Sequence, residues 1–250
     1  MREPLFRSGK FDTIVRNGDD DVMRYPGGKG GCFRSIINLM PEHRVYIESH
    51  LGGGAVLRNK LPAAHSIGID IDPAVSRQWV DHGMSNTEIR EEDAISFLKS
   101  YEYRGDELIY CDPPYPIETR RRRQIYRRDY ATTDHVELLK LVKSLPCMVM
   151  ISSYSNPLYE EALRDWEKIT FTAASHTGIR EESLWINFPR PETPYDTRFL
   201  GDGFREREAL RRRHARLTEK IMRMPQSERQ LLWSWASEQF SHEMKERAHG

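Results

Sequence analysis

Apolar and polar positions fall in short blocks between residues 33 and 188, and the blocks read as strands separated by helices. Phe33, Ile36, Ile37 and Met40 recur at helical spacing. Val45 to Ser49 reads as a strand, followed by Gly52-Gly53-Gly54 and a helix opening at Ala55. Ser66 to Asp70 is the next strand, and Glu91 to Leu98 looks like a strand end turning into a helix. Leu108 to Cys111 is a wholly apolar run of the kind found in buried parallel strands. Val136, Leu138, Leu139, Leu141 and Val142 make the stripe of a helix capped by Thr133 or Asp134. Met148 to Ser153 is another buried strand, and Asn156-Pro157 opens a helix over Leu158 to Trp166. Lys168 to Thr172 and Ser183 to Phe188 are the last strands, with Ala173 to Glu182 between them as a loop.

The flanks differ from this middle. Residues 1–22 are polar, carry Asp19-Asp20-Asp21 and lack periodicity, so they read as a loosely held arm. Pro189 to Tyr195 is proline-rich and reads as a linker. Beyond it Leu210, His214, Leu217, Ile221 and Met224 alternate spacings of four and three on a basic helix, which Pro225 ends. A second helix over about Ser227 to Phe240 carries Leu231, Leu232, Trp235 and Phe240. The pair predicts a helical hairpin packed on the core or on a second subunit, a homodimer contact. Three regions follow: an arm (1–22), a central α/β domain (23–189) and a linker with helices (190–250).

At 250 residues, 38% hydrophobic and 30% charged, the chain has the composition of a soluble globular protein. No run approaches the ~18 apolar residues of a membrane span, and the polar N-terminus lacks the core of a signal peptide. Cys32, Cys111 and Cys147 are isolated in apolar surroundings, which indicates a reducing cytoplasm rather than disulfides. The nine histidines show no ligand spacing, so no metal is expected. Net charge is zero, but its distribution is uneven: residues 118–130 hold six arginines against two acids, and residues 205–223 hold eight Lys or Arg against three Glu. Residues 81–107 carry eight acids against three bases. The two basic stretches are of the kind that meets phosphates, although such runs are as often solvated faces.

Candidate chemistry centres on Asp112-Pro113-Pro114-Tyr115. The prolines take the chain out of the sheet at Asp112, where ligands of open α/β sheets collect. The Asp112 carboxylate and the Pro113 carbonyl form two converging acceptors, and the Tyr115 ring offers an apolar face to a flat group. An exocyclic amine on an extruded base fits such a set. The bland alternative is a strand, a proline turn and a packed tyrosine. Strand, glycine turn and helix at Glu48 and Gly52 to Gly54 resemble the start of a nucleotide-binding unit, without the full dinucleotide spacing. Asp70, 18 residues after Gly52, is placed to receive ribose hydroxyls, with Asp72 as competitor and helix cap. Asp93 is equally a cap or an acceptor for an adenine amino group. Arg120, Arg121, Arg122, Arg123, Arg127 and Arg128, interleaved with Tyr126 and Tyr130, suit a nucleic-acid backbone.

Taken in order, Tyr25-Pro26-Gly27-Gly28-Lys29, Glu48 with the three glycines, Asp70, Asp93 and Asp112-Pro113-Pro114-Tyr115 resemble the Dam-type N6-adenine DNA methyltransferases over about residues 22–189. The resemblance implies a Rossmann-like sheet of seven strands, mostly parallel with one antiparallel edge strand, binding S-adenosylmethionine. It implies that Tyr25 and Lys29 flank the cofactor and that Glu48, Gly52 and Gly54 approach its methionine part. Asp70 would hold the ribose and Asp93 the adenine, while Asp112, Pro113 and Tyr115 bind an adenine flipped from double-stranded DNA. The expected setting is a stand-alone methylase of a bacterium or its phage. The chain departs from the pattern in three respects. Only 18 residues separate Asp93 from Asp112, too few for a target-reading domain, which predicts short or relaxed site recognition. Tyr25 stands where an indole is common and His50 where phenylalanine is. The C-terminal helices lie outside the resemblance. An RNA adenine methyltransferase, and an inert nucleic-acid-binding protein that keeps the fold, are the rival readings.

Overall fold

The computed structural model describes residues 29, 32–82, 84, 86–120, 128–175, 178–201 and 203–241, without the side chains of 80–82 and 173–180. The arm, Tyr25, Arg121, Arg122, Arg123, Tyr126 and Arg127 lie outside the described residues.

Strands and helices alternate as the apolar blocks predict. The strands are β1 (Val45–Glu48), β2 (His65–Asp70), β3 (Thr87–Glu91), β4 (Glu107–Cys111), β5 (Met148–Ser153), β6 (Glu167–Ser175) and β7 (Gly178–Ile186). The helices are α1 (Phe33–Ile37), α2 (Ala55–Asn59), α3 (Pro73–His82), α4 (Ala94–Ser100), α5 (Thr132–Ser144), α6 (Pro157–Ala162), α7 (Phe204–Arg223) and α8 (Gln226–Gln239). One seven-stranded sheet has the order β3-β2-β1-β4-β5-β7-β6. The first five are parallel, and β7 runs antiparallel to both of its neighbours at that end of the sheet. This is the α/β, Rossmann-like arrangement.

Period-two alternation along the central strands sends successive side chains to opposite faces, and helices cover both. Tyr46, Leu108, Tyr110, Met150 and Leu184 pack with α1, α2 and the Val75 and Trp79 face of α3. Ile47, Ile69, Ile109, Val149 and Trp185 pack with α4, α5 and α6. All five residues of β4 are buried, including Glu107, whose two oxygens take the backbone N–H groups of Arg104 (2.7 Å) and Gly105 (2.8 Å). An acid can sit there because the turn entering the strand supplies its donors.

The segment 173–182, expected as a loop, instead extends β6 and β7 over its described residues: Ala173 pairs with Arg180 and Ser175 with Gly178. Its Ser, Thr and Gly content looks turn-like, but two aligned strands satisfy the backbone better than a loop does. Helix α6 stops at Ala162, short of Trp166, in a turn that Trp166 N–H closes on the Leu163 carbonyl. Helices α7 and α8 stand where the heptad spacing and Pro225 place them, yet none of their described residues is buried. Of the two packings expected, on the core or on a second subunit, the first fully buries none of their described side chains. Leu217, Met222, Leu231, Trp233 and Trp235 are all exposed.

Candidate active site

Strand order reverses between β1 and β4, and the loops leaving their carboxyl ends diverge there to leave a crevice. A cavity of about 510 Å³ occupies it. Its wall includes Lys29, Glu48, the Gly52-Gly53-Gly54 turn, Asp70, Asp93, Asp112 and Pro114. Six of the expected cofactor residues are thus brought together around one space, and Asp112 with them. Tyr25 lies outside the described residues.

The glycine turn is built by two requirements of different kinds. Gly52 (φ 46°) donates its N–H to Asp70 Oδ2 at 2.8 Å, which ties the first turn to the end of β2. Gly54 (φ 53°) is needed for packing: a Cβ there would lie 2.1 Å from Trp79 Cζ2. The close approach that excludes a side chain at Gly54 is therefore that of the Trp79 indole, whose Nε1 donates to the Gly52 carbonyl at 3.1 Å. Asp70 Oδ1 accepts from Asp72 N–H at 2.9 Å, while Asp72 Oδ1 accepts from Ala74 N–H at 2.9 Å, at the start of α3. Asp72 acts as the helix cap, and Asp70 holds the turn. Burial raises the Asp70 carboxyl above its ordinary value, against those two backbone bonds. Asp93 caps α4 through Oδ2 and Ser96 N–H at 2.8 Å and also lines the cavity; a carboxylate has room for both.

Glu48 is buried at the end of β1, and its Oε2 accepts from Tyr46 Oη and Leu57 N–H, each at 2.9 Å. Burial pushes its carboxyl up to about 8, with the nearby Asp112 charge adding to the effect.

Around Lys29 the site is tightest. Its side chain is 5% exposed, and Nζ lies 2.8 Å from Asp112 Oδ1, 2.5 Å from Tyr115 Oη and 3.5 Å from Glu182 Oε2. Nζ is also 4.6 Å from the Tyr115 ring centroid, so it sits at the hydroxyl end of that ring rather than over its face. Burial alone would lower the lysine, but the Asp112 carboxylate, with Tyr110 and Glu182 behind it, holds it well above its ordinary value. Asp112 itself is pushed up to about 6 by burial, against the pull of Lys29. Tyr115, expected as a stacking face, is 5% exposed, and the Tyr154 ring meets it edge-on at 4.6 Å between centroids. Pro113 is buried beside it.

The rim of the cavity corrects one expectation. Arg120, expected among the phosphate contacts, has a side chain only 2% exposed. Its Nε donates to the Tyr115 carbonyl at 2.5 Å and its Nη1 to Asp129 Oδ1 at 2.7 Å. It ties the Tyr115 carbonyl to Asp129 rather than facing solvent. Arg128 is exposed and lines the cavity. His50 is bonded to Ser49 Oγ through Nδ1 and to Tyr130 Oη through Nε2, each at 2.9 Å. Burial lowers it to about 3, so the ring is neutral. A phenylalanine could not make that second tie.

Glu182 on β7 was not singled out from sequence. Its signal is phase: it stands two residues before Leu184 and four before Ile186, both buried, so an acid continues a buried face. Among the described residues no group of three His, Cys, Asp or Glu forms a metal cluster, and no helix is long and apolar enough to cross a membrane.

No protein-family model matches the chain, and no curated protein does. Among solved structures, the 23S rRNA methyltransferase ErmE is similar at 13% identity and a TM-score of 0.43, over 76% of this chain and 75% of that one. Magnesium protoporphyrin IX methyltransferase (ChlM) from Synechocystis PCC 6803, solved with bound SAM, matches at 12% identity and a TM-score of 0.42, over 62% and 78%. A precorrin 8W decarboxylase from Methanobacterium thermoautotrophicum matches at 15% identity and a TM-score of 0.40, over 63% and 88%. The architecture above stands on the strand pairing itself.

Proposed function

We propose that this chain transfers a methyl group from S-adenosylmethionine to N6 of an adenine swung out of double-stranded DNA, in the cytoplasm. One observation carries the reading: Asp112, at the carboxyl end of β4, stands in the wall of the same cavity as the glycine turn, Asp70 and Asp93. That is the separation of roles a two-substrate transfer needs, one end for the donor and one acceptor for the amine.

The residues fit the cofactor. The cavity is of ligand size. Asp70 spends two acceptor positions on backbone N–H groups, and a carboxylate has about four, so two vicinal hydroxyls can be received. Glu48, largely protonated near neutrality, would ionise beside a cationic amino group. When bound, the cofactor supplies an electrophilic methyl group on a sulfonium. The chain's part is to hold the acceptor. Asp112 and the Pro113 carbonyl would take the two N–H bonds of the amine, drawing its lone pair out of the ring. Lys29 fixes the Asp112 carboxylate at 2.8 Å. Positioning supplies most of the rate, since no strong base is required. Because the carboxylate form is the acceptor, transfer should fall away as pH drops through about 6.

The DNA would be held by the exposed Arg128 and its sequence neighbours Arg121, Arg122, Arg123 and Arg127. Incubation with labelled S-adenosylmethionine and unmethylated DNA, beside an RNA of the same sequence, followed by nucleoside analysis, tests the reading. N6-methyladenine in DNA is the expected product. Label in RNA alone, or in N4-methylcytosine, would replace it.

A further inference from the structure

The antiparallel direction of β7 has a local effect on the site. Its first half, not its last, reaches the carboxyl edge of the parallel strands, and Ser183 pairs with Ser153 at the end of β5. Glu182 therefore arrives beside Lys29 from the side opposite β1. It is not part of the cavity wall, whereas Lys29 and Asp112 are. Its Oε2 lies 3.5 Å from Lys29 Nζ, accepts from Tyr115 Oη at 3.4 Å and from Cys32 Sγ at 3.5 Å. Three elements thus meet there: the segment entering α1, the turn after β4, and β7.

A lysine ammonium has three donors, and here it faces Asp112, Tyr115 and Glu182. The Tyr115 hydroxyl likewise serves Asp112 as well as Glu182, so the two carboxylates share both donors; without Glu182, Asp112 alone among the described residues would hold them. Both would fill acceptor positions that a substrate amine needs. Charge follows the same logic: Lys29 with two carboxylates leaves one net negative charge at the amine site, where positive charge develops on the methylated nitrogen. With Asp112 alone the net charge is zero.

On the methyl-transfer reading above, we propose that Glu182 is a positioning residue: it shares Lys29 and the Tyr115 hydroxyl with Asp112, so that neither donor is held by Asp112 alone and its carboxylate keeps acceptor positions for the substrate amine. Neutralising it should be harmful although it touches no substrate. The titratable groups that interact with Asp112 are Lys29 and Tyr115, Glu182 from β7, Tyr110 and Cys111 on β4, Glu48 and Tyr46 on β1, Tyr159 on α6, and Cys32 before α1. Of these, Lys29 and the Tyr115 hydroxyl lower the Asp112 carboxyl and Glu182 raises it.

The test is Glu182→Gln, which preserves shape and removes charge, beside Glu182→Asp. Two readouts are needed. The first is the Asp112 titration in the resting protein, by carbon NMR of aspartate-labelled chain, with Asp112→Asn to assign the signal. The second is turnover on DNA with cofactor affinity measured separately. In Glu182→Gln the midpoint should fall by about one unit, and kcat should fall roughly tenfold or more, with cofactor Kd within about twofold. Glu182→Asp should recover part of both. An unmoved midpoint overturns the inference whatever the turnover, and so does a moved midpoint with full turnover. If the unmodified chain methylates neither DNA nor RNA, the methyl-transfer reading fails on that result alone, and the positioning role fails with it; a midpoint that falls even so assigns Glu182 to the charge state of Asp112 only.

Discussion

Lys29 is a buried cation between two carboxylates, Asp112 and Glu182. Replacing it with Met leaves Asp112 and Glu182 buried without a counter-charge, at a cost of about 3–5 kcal/mol that denaturant unfolding would register. The surviving protein should show its acid limb of activity at higher pH, because the lysine is what holds the Asp112 carboxyl down to about 6. Glu48 gives a second signature. Its carboxyl is raised to about 8, so at pH 7 it is mostly protonated, and a cationic cofactor group beside it should expel the proton. Calorimetry of cofactor binding in buffers of different ionisation enthalpy should find up to one proton released, and Glu48→Gln should release none. These acids were legible in sequence because each ends a strand or opens a helix, where polar side chains have a reason to stand. Glu182 was not, because its strand was hidden by residues of turn-like composition. Arg120 misled in the opposite sense: a run of arginines reads as one surface, yet this member is folded inward onto the Tyr115 carbonyl and Asp129.

The turn between β1 and α2 is specified by packing as much as by any ligand. Gly54→Ala would place a Cβ 2.1 Å from the Trp79 ring in a left-handed backbone, and should destabilise by at least about 2 kcal/mol. Because Trp79 is bonded to the Gly52 carbonyl and Gly52 to Asp70, cofactor affinity should weaken with it. Thermal melting and equilibrium binding on the same variant check both halves. From sequence the three glycines suggested a close-lying ligand. Nothing in a single sequence shows that an indole 25 residues later makes the same demand at one of them. Strand and helix order was readable throughout, since blocks with one face or two faces buried have distinct apolar periods. Helix ends were less so: α6 closes a turn early at Leu163 because a local backbone bond to Trp166 competes with another helical turn.

The C-terminal helices show how far periodicity reaches. Spacing predicted α7 and α8, but a partner for them is a property of the whole molecule, and none of their described residues is buried. Arg205, Arg212, Arg216 and Arg223 recur along α7 at intervals of seven, four and seven, with Arg213 and Lys220 beside them. Arg212 pairs with Glu208 and Arg223 with Glu219 through exposed guanidinium groups, and such surface pairs are weak enough to yield to phosphates. Changing Arg212, Arg213 and Arg216 together to Ala should leave melting and cofactor binding unaltered while lowering DNA affinity. The slope of log affinity against log salt should become shallower by about 0.9 for each phosphate that is no longer neutralised. Fluorescence anisotropy at several salt concentrations reads it directly. The central claim concerns Asp112 itself, and one comparison decides it: transfer from labelled S-adenosylmethionine to unmethylated DNA by the unmodified chain and by Asp112→Ala. N6-methyladenine from the first and none from the second, with both still binding cofactor, is the expected result. Equal methylation by the two proteins would contradict the account, because the amine would then be bound somewhere other than at the end of β4.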